Sequence, residues 1–372
     1  MKKQLFKLLS LIIAVSVFTA CVIPAGAGGN AFAERAYANI VTFSDCQNIG
    51  PVAYNNFGKV LKVMRDDGMP EPDSVLVGGD YSLILGDYAT PGIIQLREHY
   101  QSVYPNADPD DIICAQGNHD LKIPAFYPSG MYDMGTYCLY LINEDDFPWL
   151  QFIRNGAEDT VKNTAADIKT ALDKMISGGD TRPVIFITHV PLHHTTRNFC
   201  GDNMYSSYIF NVINEAAAKL DIIFLFAHNH SGDHDDYIGG SVNFMAPGDK
   251  VRIPMADKRG EDCYTEEKLN FTYTNCGYIG FDRNHETETS TNVLTLGAIR
   301  FFKNKFVFLK YTQDGLFRQY EIERIHKATS TETAAQTQAK NMQRNDSAAW
   351  NRELRFLEPI IRMFMRFFSL MG

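Results

Sequence analysis

Five apolar runs within the first 230 residues each stop at a cluster of carboxylate, amide or imidazole side chains. Residues 39–43 (NIVTF) lead into Ser44-Asp45-Cys46-Gln47, and residues 74–77 (SVLV) into Gly78-Gly79-Asp80. Residues 111–115 (DIICA) lead, one residue on, into Gly117-Asn118-His119-Asp120. Residues 184–188 (VIFIT) are followed by His189-Val190-Pro191, and 222–227 (IIFLFA) by His228-Asn229-His230. Runs this short and this rich in β-branched residues predict buried strands. In an open α/β sheet ligands bind outside the carboxyl ends of the strands, so the five tips are expected to converge on one crevice. Gly117 is read as the residue that lets the chain turn tightly where the third run ends.

Residues 138–142 (CLYLI) form a further strand-like run. Amphipathic helical patterns lie between the runs. The clearest spans 159–176, where Ile168, Ala171, Leu172, Met175 and Ile176 share one face, and another spans 205–220. After about residue 270 the sequence turns strand-rich, with hairpin turns at Lys303-Asn304-Lys305 and Gln313-Asp314-Gly315. The expected fold class is α/β, with a two-sheet β-sandwich core flanked by helices and the strand-rich second half supplying the second sheet.

The amino terminus reads as an export signal over residues 1–33. Lys2, Lys3 and Lys7 precede an apolar run, and small-residue cleavage sites follow at Ala25-Gly26-Ala27 and Ala31-Phe32-Ala33. Phe18-Thr19-Ala20-Cys21 resembles a lipoprotein box, so Cys21 is a second candidate end. The expected destination is secreted or cell-surface. Losing three lysines and no acids takes the net charge from −9 to about −12. That is a poor non-specific partner for nucleic acid. Six of the seven cysteines lie beyond the signal, no CxxC spacing occurs, and Cys263 with Cys276 is the expected disulfide.

The catalytic domain is expected over 34–327, followed by a polar linker over 328–349. In residues 350–372, Arg352, Arg355, Arg362 and Arg366 face an apolar arc that includes Leu357, Ile361, Phe364 and Phe368. That pattern fits a helix lying in a membrane surface or one docked on the protein's own core.

The ordered set Asp45, Gly79-Asp80, Gly117-Asn118-His119-Asp120, His189 and His228-Asn229-His230 resembles the calcineurin-like metallophosphoesterase superfamily, which includes purple acid phosphatases and acid sphingomyelinases. The resemblance implies two divalent or mixed-valence metal ions, Mn, Fe or Zn, bridged by Asp80. It places Asp45 and His230 on the first metal, and Asn118, His189 and His228 on the second. It implies hydrolysis of a phosphate ester by a hydroxide activated between the metals. His119 would donate a proton to the leaving oxygen or stabilise phosphoryl charge, and Asp120 would orient His119. Oxygen and imidazole donors without thiolate suit these metals, and Mg less firmly.

The chain departs from the family pattern at Gln47, where a second histidine is usual, so Gln47 is a weaker amide-oxygen candidate ligand. Leu83 stands where purple acid phosphatases have tyrosine, so their charge-transfer iron site is not expected. Asp87 competes with Asp80 but reads better as a turn residue, and His193 and His194 are candidate pocket residues. Asp233 to Asp236 read as a solvated rim. The alternative function is a cell-surface binding module that keeps the fold and at most one metal, a reading suggested by Gln47.

Overall fold

The computed structural model describes residues 31–46, 52–81, 89–121, 126–148, 157–192, 204–230, 244–254, 264–280 and 294–326. Residues 1–30 of the expected leader, the linker and segment 350–372 lie outside the described residues, as do Gln47, Leu83, Asp87, His193, His194 and residues 233–236.

Two large mixed sheets face each other. The first runs β15 (Gly315–Glu323), β14 (Lys305–Thr312), β13 (Thr295–Phe301), β1 (Ala38–Phe43), β2 (Ser74–Val77) and β3 (Ile112–Cys114), with β12 (Gly277–Tyr278) also paired to β13. The second runs β4 (Gly130–Asp133), β5 (Cys138–Ile142), β6 (Val184–Thr188), β7 (Ile222–Phe226), β11 (Thr272–Asn275) and β8 (Phe244–Met245). A small antiparallel pair, β9 (Lys250–Pro254) and β10 (Tyr264–Lys268), stands apart. Within each sheet the strands that carry the polar tips run parallel to one another: β1, β2 and β3 in one, β6 and β7 in the other.

Both faces of these strands are covered, which is why they read as unbroken apolar runs rather than alternating ones. Along β7, Ile223 and Leu225 point between the sheets, while Ile222, Phe224 and Phe226 pack on the outer layer. The outer layer of the second sheet is α3 (Ala157–Gly178) and α4 (Ser206–Ala216). The buried stripe of α3, Val161, Thr164, Ala165, Ile168, Leu172 and Met175, follows three- and four-residue steps. On the first sheet, α1 (Val52–Asp66) and α2 (Ala89–Val103) cover Val41, Phe43, Val75 and Val77 with residues such as Phe57, Leu61 and Leu96. The layers are therefore helix, sheet, sheet, helix.

One expectation is corrected. The strand-rich second half is not a separate sheet. Its β13–β14–β15 meander joins the free edge of β1, with Asn39 opposite Arg300 and Ile40 opposite Ile299. The segment 272–278 is split, β11 pairing with β7 in one sheet and β12 with β13 in the other. The chain crosses between the sheets at Cys276 and continues through Gly277, whose φ of 107° suits glycine.

Candidate metal centre

The polar tips meet at the carboxyl ends of the two parallel strand groups. Asp45, Asp80, His228 and His230 have φ of 55°, 59°, 66° and 46°, and they are the only non-glycine positive-φ residues among those described. Left-handed backbone costs a side-chain-bearing residue roughly 1–2 kcal/mol, so four such residues at one place mark a site where direction outweighs local stability.

Close approach of the β2 and β3 tips sets the positions around Asp80. A Cβ on Gly79 would lie 2.6 Å from the Gly117 amide nitrogen, and one on Gly117 would run into the Asp80 carboxylate. Gly117 is therefore needed for contact between loops, rather than for the tight turn expected of it. The Asp80 carboxylate accepts the His119 amide N–H at 3.0 Å through Oδ1. Its Oδ2 lies 3.3 Å from His189 Nε2.

His189 Nδ1 lies 2.7 Å from the Gly78 carbonyl oxygen. A carbonyl can only accept, so Nδ1 carries the proton and Nε2 is turned inward toward Asp80. That Nε2 is 3.0 Å from His228 Nδ1. Across the site, Asp45 Oδ2 accepts from Ser44 Oγ at 2.6 Å and from the His228 amide at 3.1 Å. Asp45 Oδ1 faces His230 Nε2 at 3.4 Å.

Two donor groups result among the described residues, Asp80 with His189 and His228, and Asp45 with Asp80 and His230. Within each, the donor atoms lie within 4.8 Å of one another, and Asp80 belongs to both. Asn118 adds a buried side-chain oxygen, Oδ1, that makes no hydrogen bond within the protein. A buried acceptor left this way costs about 1–3 kcal/mol unless a ligand fills the gap. The donor chemistry and this oxygen fit a pair of hard or borderline divalent cations.

The calcineurin-like phosphoesterase family matches residues 38–232, more than half of the 372-residue chain. The chain belongs to that family. No curated protein sequence matches it significantly. Among solved structures, a dimetal phosphatase from Danio rerio is 8% identical, with a TM-score of 0.45 over 76% of this chain and 99% of that one. GAP50, described as the anchor in the inner membrane complex of Plasmodium, is 11% identical, with a TM-score of 0.46 over 81% and 93%. A conserved Streptococcus pneumoniae protein described as a predicted phosphoesterase is 14% identical, with a TM-score of 0.34 over 77% and 98%.

Within this phosphoesterase, Asp80 and His189 shift each other's protonation. Burial works to raise the Asp80 pKa, but the charge and hydrogen bond of His189 outweigh it and hold the carboxyl well below the ordinary range. The same pairing, working against burial, pushes His189 up to about 10. Loading a cation there displaces a proton, because a metal ligand must be a neutral imidazole.

The Asp120 carboxylate, which the resemblance sets at the His119 ring, bonds to backbone here. Its Oδ2 accepts the amide N–H groups of Gly117 at 2.9 Å and Asp80 at 2.8 Å, and its Oδ1 that of Tyr81 at 2.9 Å. The carboxylate is thus taken up by backbone from the β2 and β3 tips rather than by the His119 ring. Burial first, then the Asp80 charge, raises its pKa to about 7. His119 is half-buried at the edge of the site, its amide held by Asp80.

Several supporting residues gave no sequence signal. Tyr278, from a run that reads only as strand, stacks on the His230 ring with centroids 5.7 Å apart and planes 11° apart. Asn275 Nδ2 donates to Asn229 Oδ1 at 2.6 Å, holding the residue between the two histidines. Asn143 Oδ1 accepts the Gln116 amide at 2.9 Å ahead of the β3 tip. The expected Cys263–Cys276 disulfide is not supported: Cys276 is a free buried thiol against Gly78, and Cys263 lies outside the described residues. Burial, then the Asp45 charge, raises the Cys46 thiol well above its usual range.

Proposed function

We propose that this phosphoesterase is an exported, metal-dependent hydrolase of phosphate esters. The observation that carries the reading is the pair of donor groups sharing Asp80. Asp45, Asp80 and His230 would hold one cation, and Asp80, Asn118, His189 and His228 the other. Bound there, the cations supply Lewis-acid charge and lower the pKa of water at the site. Two divalent cations against the carboxylates of Asp45 and Asp80 leave about +2, which suits a phosphate anion on an otherwise acidic protein.

The chain's own residues do the rest. Asp80 Oδ1 holds the His119 amide, and the half-buried His119 imidazole would give a proton to the departing ester oxygen. General acids contribute roughly 10²–10⁴-fold, whereas accelerations of phosphomonoester hydrolysis approach ~10²¹-fold. The donor cluster therefore carries most of the burden, and His119 a smaller share.

The test uses the purified chain, loaded with Mn, Fe or Zn, against a panel of phosphomonoesters, diesters, nucleotides and pyrophosphates. Turnover of at least one class well above an Asn118→Ala control is expected. Activity no greater than that control across the panel contradicts the reading.

A further inference from the structure

The guanidinium of Arg300 is used by no part of the metal centre. Arg300 sits on β13 opposite Asn39 and is 2% exposed. Its Nε donates to Asn39 Oδ1 at 3.1 Å. Nη1 and Nη2 donate to the carbonyl oxygens of Ala31 and Glu34. The guanidinium lies 4.9 Å from the Phe32 ring centroid and 5.0 Å from that of Phe302. Phe32 stacks on Tyr311, with centroids 5.9 Å apart, and joins the core cluster that α1 and α2 form with the first sheet.

This bears on where the chain is processed, because the sequence offers two small-residue sites, Ala25-Gly26-Ala27 and Ala31-Phe32-Ala33. Cutting after the second would remove the Phe32 ring and the Ala31 carbonyl from a guanidinium that has almost no access to water. A buried charge that loses its partners is costly. The cut would also place a new α-ammonium on Glu34, whose carbonyl Arg300 holds, setting like charges side by side.

We propose that maturation cuts this chain N-terminal to Ala31, and that residues 31–34 are the first built-in segment of the folded domain, with Arg300 as their receptor. The inference rests on reading residues 1–27 as an export signal and is independent of the phosphoesterase chemistry. At the first site a leader peptidase that reads small residues hydrolyses the Ala27–Gly28 amide. Water gives its hydroxyl to the Ala27 carbonyl carbon and its hydrogen to the Gly28 nitrogen. The boundary expected at residue 33 moves upstream accordingly. The segment enters the fold where Tyr37 takes a hydrogen bond from Arg324, at the end of the sandwich opposite Asp45.

The full-length chain is expressed with its own leader in a secreting bacterial host, and the first residue of the exported protein is read by N-terminal sequencing and intact mass. A first residue anywhere from Cys21 to Ala31 is expected. An end at Glu34, or an uncut chain, overturns the proposal. The docking is tested separately by Phe32→Ala in the same full chain, which is expected to lower the melting temperature by about 5 °C or more. An unchanged melting temperature overturns the receptor role of Arg300.

Discussion

At the residue scale, the centre rests on four left-handed residues and on one carboxylate, Asp120, that gathers three backbone amides. Asp45, Asp80, His189, His228 and His230 stood out because such side chains are out of place directly after buried strands. Their left-handed backbones were not readable, since aspartate and histidine, though they visit that region more often than most residues, do so at only a small share of positions. Nor was the job of Asp120, because a carboxylate beside a histidine gives no hint that three amides from two loops will claim it. Its role predicts a distinctive variant. Asp120→Ala leaves three buried N–H groups without their acceptor and is expected to cost about 3–5 kcal/mol and to weaken metal retention. His119→Ala is expected to spare both. Thermal melts and metal content of the two variants decide it, and wild-type behaviour in Asp120→Ala would return that residue to a role at the His119 ring.

At the element scale, the strands at 74–77, 138–142 and 184–188 have the bounds their apolar runs suggested. Sheet membership was not legible, because which edge of β1 remains open depends on pairings across some 260 residues. Hydrophobicity shows that a strand is buried but not beside whom. The ends of the two sheets are tied at the pole away from the metal centre by Arg324 and Asp221, whose side chains are 1% and 3% exposed. Arg324 Nε meets Asp221 Oδ2 at 3.1 Å, while Asp221 Oδ1 takes the Ile325 amide at 2.7 Å. Arg324→Ala strands a buried carboxylate and is expected to destabilise the fold by about 3–5 kcal/mol without changing metal content per folded chain. Denaturant unfolding checks this. A loss below about 1 kcal/mol would show that the pair does not join the sheets.

At the scale of the whole molecule, two parallel strand groups from different sheets aim their carboxyl ends at one place, and a single carboxylate stands between two sets of donors. The enzyme reading and the binding-module reading share this fold but differ in how many cations it holds. Metal counting by mass spectrometry on the purified full chain, beside Asp80→Ala and His230→Ala, tests the arrangement most directly. Two ions per chain are expected in the unaltered protein, one in His230→Ala, and weakened retention of both in Asp80→Ala. One ion or none in the unaltered protein, or full retention in Asp80→Ala, would contradict a shared centre.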